Sequence, residues 1–174
     1  MSQFAELWTE TADAFSATYD QIGDQWDADT PCEGWTVKDL VEHAAGVQVL
    51  FGAALGLEAE AGADWPSVQS AMAGVIADPS NLEGEVDHPA LGTMPKEQVL
   101  GVALTDLLIH TWDLARGIGA DDTLPAGPTQ AALMGLQGLP PEVIRAPERF
   151  HDALDAGDGA SVQDQLIAFS GRQP

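Results

Sequence analysis

The chain has 174 residues, 28 of them Asp or Glu against only 6 Lys or Arg, and its formal net charge at pH 7 is −22. Such a surface repels phosphate backbones and anionic lipid, so neither nucleic acid nor a membrane is expected as a partner. No apolar run approaches the ~20 residues of a membrane span, and the length suits one domain over 1–174 that buries about 70% of the surface its unfolded chain would expose.

The apolar periodicity is helical throughout, and strand signals are nearly absent. Phe4, Trp8, Phe15, Tyr19 and Ile22 form one stripe of a helix over 3–22. The turn-rich loop GDQWDADTPCEGW follows. Thr36 and Asp39 then have the spacing of a capping box, opening a second helix that runs to about Leu57 with Val37, Leu40, Ala44, Val47, Phe51 and Leu55 on its apolar face. A short helix covers SVQSAMAGVIA, residues 67–77, and DPSNLEGEVDHPALGTMP reads as irregular. Pro95 suits the first turn of a helix that continues to about Arg116 and ends on Gly117 or Gly119. A weak helix near 129–138 stops at Pro140 and Pro141, and Ser161 with Asp164 caps a last one closed by Gly171. Three long helices and several short ones predict an all-α bundle.

The helix over 95–116 is apolar on nearly every side, which marks it as interior. Yet it carries Asp106 and His110, four apart and one above the other. A buried carboxylate and imidazole need partners. Two readings stand: a core histidine hydrogen-bonded to Asp106, or two ligands of a common ion. His43, at the edge of the second helix's apolar stripe, is either an interfacial histidine or the third ligand of a bundle-core site. Two nitrogens and one oxygen suit zinc first, then nickel or ferrous iron, rather than calcium.

Four stretches carry a family resemblance. TPCEGWTVKDLVEHAAG (30–46) and DLLIHTWDLARGIG (106–119) resemble the two signatures of mycothiol-dependent maleylpyruvate isomerases, with HPALGTMP (88–95) and the ending DQLIAFSGRQP in matching places. The resemblance implies a DinB-like up-down-down-up four-helix bundle binding a divalent metal through His43, Asp106 and His110. Asp106 stands where the isomerase has a glutamate and DinB-like relatives commonly a histidine. The implied function is a metal-dependent isomerase or thiol S-transferase using a low-molecular-weight thiol, mycothiol or one like it, with a small-molecule substrate. The isomerase continues into a second domain where this chain ends, so maleylpyruvate itself is not expected as substrate. The alternative is a metal-binding sensor or ligand carrier without turnover. Relatives of this kind suggest a homodimer.

Further residues each allow a functional and a structural reading. Asp113 is a second catalytic group, or it pairs with Arg116 or backs a ligand histidine. Arg116 holds a substrate carboxylate or caps helix carbonyls. Trp35 and Trp112 pack around the site or wall a ligand cleft. Cys32, alone in the chain and so without an internal disulfide, reads as a small packed residue with a redox role as the alternative. His88 and His151 read as surface histidines. The N-terminus MSQFAELWTE resembles no export signal, which predicts a cytoplasmic address.

Overall fold

The computed structural model describes residues 2–60, 62–88, 92–140, 145 and 150–174. Pro141, residues 89–91 of HPALGTMP and residues 148–149 ahead of His151 lie outside the described residues. The described chain is mostly helical, and the all-α expectation holds. The helices are α1 (Gln3–Tyr19), α2 (Val37–Ala53), α3 (Trp65–Ile76), α4 (Lys96–Ile118), α5 (Ala126–Gln137) and α6 (Val162–Phe169). Between α3 and α4 come a 3-10 turn (Pro79–Leu82) and two short strands, β1 (Glu85–His88) and β2 (Gly92–Pro95).

The capping signals work as their chemistry requires. Thr36 accepts from the Asp39 amide while Asp39 accepts from the Thr36 amide at 2.9 Å, and Ser161 and Asp164 repeat the arrangement at α6. Gly119, left-handed at φ 68°, ends α4. Helix ends differ from the periodicity where apolar residues stay buried beyond the helix. α1 stops at Tyr19 although Ile22 is buried. α2 stops at Ala53, and Leu57 folds back with its amide on the Gly52 carbonyl at 2.9 Å. A Cβ on Gly52 would meet Leu57 and Met72 at 2.6 Å, so only glycine admits this reversal as it stands. α3 starts earlier than expected, at Trp65, because Asp64 caps it, and α5 begins at Ala126 directly after Pro125.

The antiparallel β1–β2 hairpin pairs Glu85 with Pro95 and His88 with Gly92, in a segment expected to be irregular. Four-residue strands containing Asp, Glu, Gly and Pro carry little propensity, and neighbouring helices supply the context instead. His88 is a correction as well: it is buried, not at the surface, with its ring stacked on Phe51 at 4.8 Å and 17°. Burial pushes its imidazole below the ordinary histidine value. His151 is exposed, as read from the sequence.

α4 is the interior helix, packed along α1 and α2, with every residue from 107 to 115 buried. Gln48 ties the three together inside the core: its Oε1 accepts from the Trp8 indole N–H at 2.9 Å and its Nε2 donates to the Ala103 carbonyl at 3.0 Å. This packing fixes the mutual height of α2 and α4, on which the site depends.

Candidate metal centre

His43 on α2 and Asp106 and His110 on α4 converge on one point. His43 Nε2 lies 3.9 Å and His110 Nε2 3.7 Å from Asp106 Oδ1. The donor atoms of all three side chains lie within 4.8 Å of one another. Both nitrogen–oxygen separations exceed hydrogen-bonding length, so the reading of His110 as a core histidine hydrogen-bonded to Asp106 does not describe the structure. Asp106 Oδ2 is buried and has no hydrogen-bond partner among the described residues. Leaving a buried carboxylate oxygen unsatisfied is costly, and a cation held against the Asp106 carboxylate would lower that cost by neutralising its charge.

The donor set fits a divalent ion. Zinc bonds of about 2.0–2.1 Å place donors on a tetrahedral ion about 3.3 Å apart, and the two nitrogen–oxygen separations of 3.9 and 3.7 Å lie somewhat above that, so the three side chains would draw together around the ion. The His43 side chain is 37% exposed and that of His110 only 9%, so the cluster is reached from the His43 side. Trp35 forms a wall there, its ring 4.6 Å from His43 and lying nearly parallel to His110 at 6.0 Å and 25°. The two imidazoles meet edge to face at 5.0 Å.

The Trp35 loop is held by its own backbone. Thr30 N–H donates to Trp35 O at 3.1 Å, Trp35 N–H to Cys32 O at 3.0 Å, and Val37 N–H to Ala28 O at 2.9 Å. It presses on α4 at Gly117, where a Cβ would stand 3.2 Å from both Asp29 O and Thr30 Cγ2. The absent side chain lets the loop bring Cys32 and Trp35 up to His110.

Behind His110 lies a second layer. His110 Nδ1–H donates to Asp113 Oδ2 at 3.0 Å, which leaves Nε2 facing Asp106 and His43. Asp113 is fully buried, and Arg172 grips it with two hydrogen bonds of 2.7 Å, Nε to Oδ1 and Nη2 to Oδ2. The Cys32 thiol adds a donor to Asp113 Oδ2 at 3.3 Å and lies 3.9 Å from His110 Nδ1. Cys32, His110 and Asp113 are therefore also close enough to share an ion, but the Arg172 guanidinium already supplies the cation there. Burial would raise the Asp113 pKa, yet hydrogen bonds from His110 and Arg172 and their charges hold it below the carboxylate norm.

The other sequence candidates fall in two groups. Asp113 backs a histidine rather than pairing with Arg116. Arg116 reaches Asp122 at 2.9 Å and lies over the Trp112 ring at 4.7 Å, so it neither caps helix carbonyls nor joins the site. Trp112 is buried in the core under Arg116 and does not wall the cleft, unlike Trp35. Cys32 is half-buried and hydrogen-bonded, more engaged than simple packing implies. Sequence reasoning missed Arg172: its only signal was its place in the C-terminal SGRQP, which no helical spacing connects to position 113.

Residues 4–90 match the mycothiol maleylpyruvate isomerase N-terminal domain family, and the chain belongs to that family. The matched span takes in His43 and ends before Asp106 and His110. The chain is also similar to two uncharacterized proteins from two strains of Mycobacterium tuberculosis, 32% identical over 169 residues that cover 92% of this chain and 92% of each relative. That alignment spans nearly the full length of both. No solved structure matches the chain.

Proposed function

We propose that this chain is a single metal-binding domain that holds a divalent ion, zinc in first place with nickel and iron as alternatives, through His43, Asp106 and His110. It acts on or with a low-molecular-weight thiol of the mycothiol kind, as an isomerase or thiol S-transferase. The observation that carries this reading is the trio of donors spaced for one ion beside a buried, unsatisfied Asp106 oxygen.

His43, Asp106 and His110 would hold a dication with a net charge of about +1, which when bound would lower the pKa of a thiol and polarise an electrophile. The chain's own side chains do the rest. His43 forms the open rim where a ligand enters, and Trp35 offers an apolar wall against which the ligand's body packs. Once His110 is neutral, as ion binding requires, Asp113 would keep its remaining proton on Nδ1 so that the Nε2 lone pair faces the centre.

A second reading, metal and ligand binding without turnover, is favoured by the state of Asp113. The carboxylate is buried, and both its oxygens are committed to His110, Arg172 and Cys32, so it is unavailable for proton transfer. The test is the affinity for a low-molecular-weight thiol measured on zinc-loaded and chelator-stripped protein. Tight binding only in the loaded form supports a thiol at the metal, and equal binding in both forms refutes it. Adding an electrophilic or cis-unsaturated acceptor to the loaded complex separates the readings, since conversion identifies an enzyme and binding alone a carrier.

A further inference from the structure

We infer that Arg172, from the C-terminal segment, is a positioning residue for the metal centre, and that it couples ion binding to the docking of α6. The inference rests on the metal-site reading above and extends it to a part of the chain that contributes no ligand. Position 172 is 59 residues from Asp113 in sequence, yet the two form a forked pair at 2.7 Å for both bonds. The Arg172 side chain is only 16% exposed. Its donors are all spoken for: Nε and Nη2 on Asp113, Nη2 also on Cys32 Sγ at 3.6 Å, and Nη1 on the Ser170 carbonyl and hydroxyl at 3.4 Å. A guanidinium so committed is not waiting for a substrate anion. It fixes the orientation and charge of Asp113, and Asp113 in turn fixes His110.

The backbone shows how the segment is built to deliver it. Gly171 is left-handed at φ 85°, and a Cβ there would lie 2.7 Å from His151 Cβ. The Arg172 amide returns to the Ile167 carbonyl at 3.1 Å, turning the chain at the end of α6 so that the side chain re-enters the core. Because the pairing is a fork, lysine cannot reproduce it. Any restraint that Arg172 places on His110 is reciprocal: an ion that fixes His110 must also favour the docked segment.

The experiment measures zinc affinity by chelator competition on wild type, Arg172→Met, Arg172→Lys, Asp113→Asn and the Arg172→Met/Asp113→Asn double variant. Amide hydrogen exchange over residues 162–172 of the wild type is followed with and without zinc. Loss of a partner behind a ligand histidine weakens metal binding by about 10–100-fold, so Asp113→Asn should fall in that range, Arg172→Met should weaken binding by less, since it acts through Asp113, and Arg172→Lys should recover part of that loss. In the Asp113→Asn background Arg172→Met should add little, because the effect runs through Asp113. Zinc should slow exchange in α6. Unchanged zinc affinity in Arg172→Met, full additivity with Asp113→Asn, or α6 exchange indifferent to zinc would each overturn the inference. If Arg172→Met fails to fold, Arg172→Lys and the exchange measurement on wild type still decide it. Absence of zinc binding by the wild type would instead defeat the metal-site reading itself, a result distinct from all of these.

Discussion

His110 has a carboxylate near each ring nitrogen, Asp113 at 3.0 Å on Nδ1 and Asp106 at 3.7 Å on Nε2. Burial alone would drive the proton off this ring, but the Asp106 charge and the hydrogen bonds with Asp113 and Cys32 outweigh it and raise the pKa to about 10. A histidine in the unfolded chain titrates near 6.5. The metal-free fold therefore carries stability that is fully present below about pH 6.5 and lost as pH rises toward about 10. Thermal melting of the stripped protein should show a Tm that falls across this range, and His110→Gln should flatten the slope. The same proton must leave Nε2 before an ion can bind. Zinc titration at pH 7 in buffers of different ionisation enthalpy should accordingly show proton release, and affinity should rise with pH. At Gln48 the chemistry is purely structural. Gln48→Leu leaves the buried Trp8 indole N–H without its acceptor, a loss of about 1–3 kcal/mol readable by urea unfolding.

Among the elements, the sequence was legible where the signal is local. The Thr36–Asp39 and Ser161–Asp164 boxes, the long apolar α4 and a glycine stop at Gly117 or Gly119 could be read from spacing, because capping and amphipathicity act within a few residues; the structure selects Gly119. The i,i+4 placement of Asp106 and His110 follows from helix geometry alone, whereas their meeting with His43 was implied by family resemblance and is shaped by the packing of α2 on α4. The β1–β2 hairpin, the burial of His88 and the Arg172–Asp113 fork were not legible, since each depends on partners supplied by the tertiary fold. Two substitutions probe this level. Thr36→Ala removes one half of the box that starts α2 and should cost about 1 kcal/mol, with the metal centre intact. Gly171→Ala forces a Cβ into a left-handed position against His151, a backbone strain of about 1–3 kcal/mol, and its zinc affinity should fall with its stability because Arg172 is displaced.

At the scale of the molecule, two features stand apart. The net charge of −22 is spread along the chain, and self-repulsion of that size opposes the compact state. Raising sodium chloride from low to physiological ionic strength and beyond should therefore increase Tm, since screening acts on exposed charges and hardly on the buried Asp113–Arg172 pair. Among the described residues no helix is long and apolar enough to cross a membrane. Within this acidic shell one cluster gathers several ionisable groups: the Asp106 carboxylate facing the His43 and His110 imidazoles, with the Asp113 carboxylate, the Cys32 thiol and the Arg172 guanidinium behind His110.

The most direct test of the account is the metal content of the purified protein after loading with zinc and desalting, compared with His43→Ala and His110→Ala. One equivalent per wild-type chain, and a near-complete loss in both variants with helical content unchanged by circular dichroism, is the predicted result. Wild type that retains no zinc, nickel or iron under any loading condition, or variants that retain as much as wild type, would contradict it.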